Sequence, residues 1–328
     1  MSGVRQQTVA RDEDGMRLDR WFAAHYPQVS FGHLQKLLRS GQVRVDSGRV
    51  KTSTRLEAGQ VVRVPPVGEA PERPPGAVSD KDAAFLRDLI LYEDDDLYVF
   101  NKPHGLAAQG GSGQKRHVDG MLKSLPNSKG ETPRLVHRLD RDTSGCLVVA
   151  KTRAAAAHLG KIFGSRSARK IYWAVTAGVP HPRQGDISCF LAKRGTGDGE
   201  QMVVVPNGTP GAVHSQSYYS TTDVAGRRFA WVTLKPVTGR THQLRVHMAE
   251  LGTPIVGDPR YFDIENWQPA EGLGQGLHLH ARRISLPMRS GKLLDVSAPL
   301  PPHMLKSFEA LGFDPNRYDV QSADPEDG

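Results

Sequence analysis

Between Pro65 and Ser79 the chain places five prolines and two glycines among fifteen residues, with little apolar content. Proline lacks a backbone donor and fixes φ, so such a stretch can continue neither a helix nor a paired strand and reads as an extended linker. It divides the 328 residues unequally, which predicts a small module and a large domain rather than one core. The expected organisation is an N-terminal arm over 1–14, a compact module over 15–66, the linker over 67–84, the large domain over 85–313 and a disordered acidic tail over 314–328.

The module carries helical apolar spacing at Leu18, Trp21, Phe22 and Ala23 and again at Phe31, Leu34, Leu37 and Leu38. Strand-like alternation follows at Gln42–Val45 and Val61–Val64, with an Asp46-Ser47-Gly48 turn and Gly59 as punctuation. From Gly15 to Pro66 there are nine Lys and Arg against three Asp and Glu, so this stretch supplies +6 of a formal net charge of +8. Concentrated cationic charge on a small fold favours a polyanionic partner, through Arg and Lys contacts to phosphates that carry little sequence information.

Beyond the linker, Leu97–Phe100, Cys146–Ala150, Ile171–Val175, Phe229–Lys235 and Arg283–Leu286 read as strands, largely in hairpins. Ala154–Phe163, His242–Leu251 and Pro302–Leu311 read as helices. The order is α+β rather than alternating α/β. Cys146 and Cys189 lie far apart in apolar sequence, which argues for free thiols in a reducing, cytoplasmic setting. Neither a membrane-length apolar run nor a signal-peptide core is expected. The sequence shows no glycine-rich phosphate loop and no cysteine pair, so no nucleotide, metal or redox cofactor is expected.

The polar run His137-Arg138-Leu139-Asp140-Arg141-Asp142-Thr143-Ser144-Gly145 feeds the apolar strand Cys146–Ala150. Taken alone, an Asp beside Thr-Ser-Gly is commonly a turn or capping residue. Its wider context changes that reading. HRLDRDTSGCLVVAKT resembles the signature of the RluA-type family of RNA pseudouridine synthases. Three further blocks resemble the same family in order: LILYEDDDLYVFNKPHG (89–105), RKIYWAVTAG (169–178) and PVTGRTHQLRVHMAELGTPIVGDPRY (236–261). RLDRW (17–21) and GQVRVDSGRV (41–50) resemble an S4 RNA-binding domain, and YEDDDLYVFNKPHGLAAQGGSG with LEAGQVVRVPPV is similar to the subgroup acting on several uridines of large-subunit ribosomal RNA.

The resemblance implies a pseudouridine synthase domain with a mixed, largely antiparallel sheet, plus a small α+β S4-like domain, acting on structured RNA, most naturally 23S ribosomal RNA. Making pseudouridine breaks N1–C1′, turns the base and joins C5 to C1′. A carboxylate suits this as it suits glycoside cleavage. The resemblance assigns that role to Asp140 and leaves open whether it adds to C1′, adds to the base or abstracts the 2′ proton. Arg245 matches the arginine that pairs with the aspartate, Tyr172 the tyrosine that packs on the uracil and helps remove its C5 proton, and Arg138 the arginine that fills the space of the flipped nucleotide. Arg17, Arg20, Lys36, Arg39, Arg44, Arg49 and Lys51 are the expected RNA contacts of the module.

Arg17-Leu18-Asp19-Arg20 repeats the tetrapeptide of 138–141 without the following Thr-Ser-Gly, so Asp19 is expected to be a helix residue. His242, His247, His278 and His280 lack a surrounding acidic or cysteine cluster and are not expected to hold a metal. Gln109, Thr253 and Phe262 depart from the family's usual residues around the site. The rival functions are the same reaction on transfer RNA, a non-catalytic RNA-binding ribosome-assembly factor on the same fold, and a base-excising hydrolase, which would release uracil.

Overall fold

A computed structural model describes residues 3–68, 80–110, 116–128, 130–195, 201–262 and 270–318. The chain forms two compact units, Met1–Ala77 and Val78–Gly328.

The first unit contains β1 (Arg5–Thr8), α1 (Leu18–His25), α2 (Phe31–Arg39), β2 (Arg44–Val45) and β3 (Val61–Val64), with its sheet in the order β1-β3-β2. Both helices turn most of their apolar spacing inward, so that Leu18, Trp21, Phe22, Leu34 and Leu37 pack with Val45, Val62 and Val64, while Ala23 and Phe31 are exposed. At roughly 1.5–3 kcal/mol for each large apolar side chain buried, this small core supplies most of the unit's cohesion. Asp46 and Ser47 both have positive φ, 46° and 66°, the conformation of a tight hairpin turn that Asp tolerates well. The N-terminal arm expected over 1–14 packs onto the unit: β1 pairs antiparallel along β3, and the buried Glu13 carboxylate accepts from Trp21 Nε1 at 2.9 Å and Ala10 N at 3.0 Å. An unpaired buried carboxylate would be costly, and these bonds tie the N-terminus into the fold.

The second unit comprises α3 (Asp80–Asp88), β4 (Ile90–Glu93), β5 (Leu97–Lys102), α4 (Val118–Met121), β6 (Arg134–Leu135), β7 (Ser144–Ala150), α5 (Arg153–Gly164), β8 (Arg169–Ala177), β9 (Gln184–Arg194), β10 (Gln201–Val205), β11 (Val213–Ala225), β12 (Phe229–Pro236), α6 (Gln243–Glu250), β13 (Leu279–Pro287), β14 (Leu293–Ser297) and α7 (Pro302–Leu311). Its eleven-stranded sheet runs β10-β9-β11-β12-β8-β13-β7-β5-β4, with β14 on β13 and β6 on β7. Among the described strands the pairing is antiparallel except between β13 and β7, where His280 and Ala281 face Ser144 and Gly145. Helix α3 opens at Asp80, so the expected linker over 67–84 ends earlier; residues 69–79 lie outside the described residues. At the other end, Tyr318 stands edge-on to Trp231 at 5.2 Å, so the expected disordered tail does not begin at 314; residues 319–328 lie outside the described residues.

Strand β7 is buried along its whole length, as expected of a strand covered on both faces. Cys146, Val148 and Ala150 pack under α5 residues Ala155, Leu159 and Ile162, while Leu147 and Val149 face Val118, Met121 and Leu122. Helix α5 is capped by Thr152, whose side chain accepts from Ala155 N. It ends where Ser167 N donates back to Ile162 O at 3.1 Å, with Arg166 at φ 64° in the position glycine usually takes. Trp173 and Trp231 meet edge to face at 4.6 Å beneath Met304 and Phe308 of α7. No helix among the described residues is long and apolar enough to cross a membrane.

Candidate active site

The loop ahead of β7 is pinned at alternate residues. His137 Nε2 accepts from Val148 N at 2.8 Å, and its ring stacks on Phe163 at 4.4 Å. Burial, then the nearby Lys170 charge, lowers the His137 pKa to about 3, as an imidazole accepting a buried N–H requires. Leu139 is buried, and Lys102 Nζ donates to Arg141 O at 2.9 Å, to Leu106 O at 2.7 Å and to Pro103 O at 3.0 Å. Burial lowers the Lys102 pKa to about 7, with Asp142 and Asp140 opposing the shift. The residues between these anchors, Arg138 and Asp140, line a cleft of about 450 Å³. Gly145, at φ 104°, sets the other end of the loop: a Cβ there would collide with Ala281 O of β13.

The opposite wall comes from the loop between β12 and α6. Buried Gln243 fixes it: its Oε1 accepts from Thr238 Oγ1 at 2.6 Å and Arg240 N at 3.0 Å, and its Nε2 donates to Gln216 O at 2.9 Å and Ser217 Oγ at 2.8 Å. A buried amide with its donors and acceptor matched holds a loop in one arrangement. Two residues later Arg245, only 4% exposed, aims into the cleft. Its Nη1 stands 3.9 Å from Asp140 Oδ2. Tyr172, on β8, lines the same space, and burial followed by the Asp140 charge pushes its phenol above the usual tyrosine range. Arg138 lies exposed along the cleft. Thus Asp140, Tyr172, Arg245 and Arg138, four residues scattered over more than a hundred positions, share one cavity.

Several participants were not expected from the sequence. Asp258, fully buried, accepts from Arg245 Nε and Nη2 at 2.7 Å each, so Arg245 is held first by Asp258 and reaches Asp140 at longer range. The expected pairing of Arg245 with Asp140 is thus present at 3.9 Å, with Asp258 as the tighter, unexpected partner. His242, considered from the sequence only as a metal ligand and not expected to be one, lines the cleft with φ 53°, and its Nε2 is 4.0 Å from Asp140 Oδ2. Its Nδ1 lies 2.8 Å from Tyr261 Oη, which itself accepts from Met202 N at 3.0 Å. The phenol can donate to Nδ1 or accept from it; in the first arrangement a neutral ring carries its proton on Nε2, toward the aspartate. The signal for Asp258 and Tyr261 was present in GDPRY, but nothing in the spacing says that they sit behind Arg245. His247, His278 and His280 are fully buried; His247 Nε2 meets Ser215 Oγ at 2.9 Å, and His280 Nδ1 meets Ser144 Oγ at 2.8 Å.

In the first unit Arg20, Lys36, Arg39, Arg49 and Lys51 are exposed. Arg17 is engaged by Asp19 at 2.6 Å, and Arg44 donates to Gly41 O at 3.1 Å and Ser47 O at 3.2 Å, so these two shape the unit as well as charging it. Asp19 is in α1 as expected.

Comparison with known proteins accords with this fold and cleft: residues 96–250 match the family model described as RNA pseudouridylate synthase. The chain belongs to that family and is a pseudouridine synthase, an isomerase. It is 37% identical over 317 residues to ribosomal large subunit pseudouridine synthase C of Pasteurella multocida, covering 94% of each chain. It is 34% identical to the mitochondrial RNA pseudouridine synthase 4 of Arabidopsis thaliana, covering 89% of this chain and 78% of that one. The structure of human RNA pseudouridylate synthase domain containing 4 superposes with a TM-score of 0.60 at 30% identity, covering 71% of this chain and 97% of that one.

Proposed function

We propose that this chain converts uridines of large-subunit ribosomal RNA to pseudouridine with Asp140 as its covalent catalyst. One observation carries the reading: a carboxylate is presented in a cleft, 3.9 Å from a guanidinium that is itself locked by a second carboxylate. Arg245 sets a positive charge beside the Asp140 carboxylate, and Asp258 prevents it from collapsing onto the nucleophile as a tight pair. In the reaction N1–C1′ breaks, C5–C1′ forms, C5 gives up a proton and N1 gains one; nothing is oxidised. Tyr172 supplies an apolar face for the detached uracil, and Arg138 occupies the gap left by the flipped nucleotide. The identity shared with ribosomal large subunit synthases over nearly the whole chain supports that substrate.

The same reading makes the first unit an S4-like RNA-binding domain, supported by its two helices, small sheet and the exposed cations of α1, α2 and the β2 hairpin. The domain assignment is then a binding module and a catalytic domain. Free Cys146 and Cys189 suit a reducing, cytoplasmic compartment. The test is to map pseudouridines in total RNA of cells with and without the gene, complemented by wild type or Asp140→Asn. Sites in large-subunit RNA should vanish without the gene and return only with wild type. Missing sites confined to transfer RNA would overturn the substrate, and restoration by the Asn variant would overturn the mechanism.

A further inference from the structure

A second cavity, about 380 Å³, adjoins the cleft and shares Arg166, Lys170, Pro236 and Val237 with it. Among the described residues no carboxylate lines it. Lys170 is half-buried at the junction, and among the described residues its ammonium and the Arg166 guanidinium have no hydrogen-bond or ion-pair partner. Both residues line the same two cavities, and burial first and the Arg166 charge second lower the Lys170 pKa. Lys170 is the partly buried member and Arg166 the exposed one, so a desolvated ammonium without a counter-ion, with a second cation lining the same two cavities, opposes folding unless something else requires it.

Arg166 adds an independent mark. It occupies the left-handed position that closes α5, at φ 64°, where a residue with a Cβ is strained and glycine is favoured. A cation there does interact well with the helix C-terminus, but that gain is open to any nearby Lys or Arg in the last turn, and Lys161 already supplies it. Strain kept at a site lining two connected cavities points to a role for the side chain itself.

We infer that Arg166 and Lys170 form a phosphate subsite that grips the RNA backbone beside the target uridine. The inference rests on the cleft being the uridine site. A phosphodiester fits because it is the anion available at every nucleotide, and it would neutralise the Lys170–Arg166 repulsion on binding. The subsite lies on the Tyr172 side of the cleft, since Lys170 and Tyr172 alternate on one face of β8.

The test uses the full-length protein, a transcript of large-subunit ribosomal RNA, and the variants Arg166→Gly, Lys170→Met and their combination. Lys292→Met is the charge control, on the exposed β13–β14 turn away from both cavities. Thermal midpoints should hold or rise, because glycine relieves the left-handed strain and methionine removes a desolvated charge. Affinity should fall, and the log–log salt slope should become shallower by about one per residue removed, with no such change in Lys292→Met. The loss should appear in Kd and KM far more than in the single-turnover rate at saturating RNA. Unchanged affinity and slope in the double variant would overturn the subsite, as would a loss confined to the saturated rate. Asp140→Asn separates the two claims: activity surviving in that variant sinks the catalytic reading while leaving the salt-slope result to judge the subsite.

Discussion

Arg245 commits both prongs of its fork to Asp258, at 2.7 Å each, and approaches Asp140 only with the remaining nitrogen, at 3.9 Å. The two carboxylates thus divide one guanidinium into a structural half and an electrostatic half. Asp258 also accepts from Arg260 N at 2.9 Å and Tyr261 N at 3.2 Å, so the same group orders the segment that faces His242.

Asp258→Asn should therefore damage both stability and rate. Removing one partner of a buried pair leaves an uncompensated charge, with a cost of about 3–5 kcal/mol. The freed guanidinium can close on Asp140 and quench it as a nucleophile. Denaturant unfolding and single-turnover kinetics check the two parts; a variant with wild-type stability and rate would show that Arg245 needs no second anchor.

Tyr172 sits where burial and the Asp140 charge keep it a neutral phenol. A neutral phenol is a weak base, so ring packing rather than proton removal should carry its contribution. Tyr172→Phe should stay within roughly tenfold of the wild-type rate, about 1.4 kcal/mol of barrier, while Tyr172→Ala falls much further. If Phe proves as damaging as Ala in single-turnover assays, the hydroxyl takes part in the chemistry.

Acid should unfold this protein through its buried histidines. His247, His278 and His280 are fully buried, and desolvation lowers their pKa values from 6.5 to about 4, about 4 and about 3. Below pH 6.5 the unfolded chain binds protons that the native state refuses, so stability is complete above that pH and declines as pH falls toward 4. Each histidine contributes up to about 1.4 kcal/mol per pH unit across the window. Urea midpoints measured between pH 7.5 and 4.5 should drop steadily; a flat profile would mean these rings are protonated in the native state.

Removing residues 1–79, up to the start of α3, should weaken RNA binding more than chemistry. The exposed cations of the first unit leave with it, so the salt slope should become shallower by about one for each phosphate those cations would have neutralised. The single-turnover rate at saturating RNA should stay within roughly tenfold. Unchanged affinity with a collapsed rate would show that the first unit shapes the active site.

Much of this architecture could be read from apolar periodicity. Strands β5, β7, β8, β12 and β13 and helices α1, α2, α5, α6 and α7 all fall on segments whose apolar residues repeat at two or at three to four positions. Strand β11 escaped because its inward positions include Ser215, Ser217 and Tyr219, and the serines are satisfied by His247 and Gln243 from α6 and, for Ser215, by the Cys189 carbonyl of β9. That pairing is tertiary and leaves no local trace. The same holds for the site. Asp140, Tyr172 and Arg245 stood out within motifs, whereas the Asp258 anchor and the left-handed Arg166 depend on neighbours distant in sequence, and Ser165-Arg166-Ser167 contains no glycine to betray the turn. Strand β1 within the arm over 1–14 was not legible, because a four-residue edge strand carries almost no periodic signal.

The parallel pairing of β7 with β13 ties Ser144 to His280, which lie 136 positions apart in the chain. The loop that carries Asp140 is consequently complete in composition early during synthesis but lacks its neighbour until most of the chain has left the ribosome. Gly145 and the loop before it close only when the Ala281 carbonyl arrives. Contacts of such long sequence separation form late and slowly. On the proposed division of labour, a nascent chain whose first unit has folded still lacks the strand that closes the Asp140 loop, so the direction of translation would place RNA attachment ahead of the competence to modify.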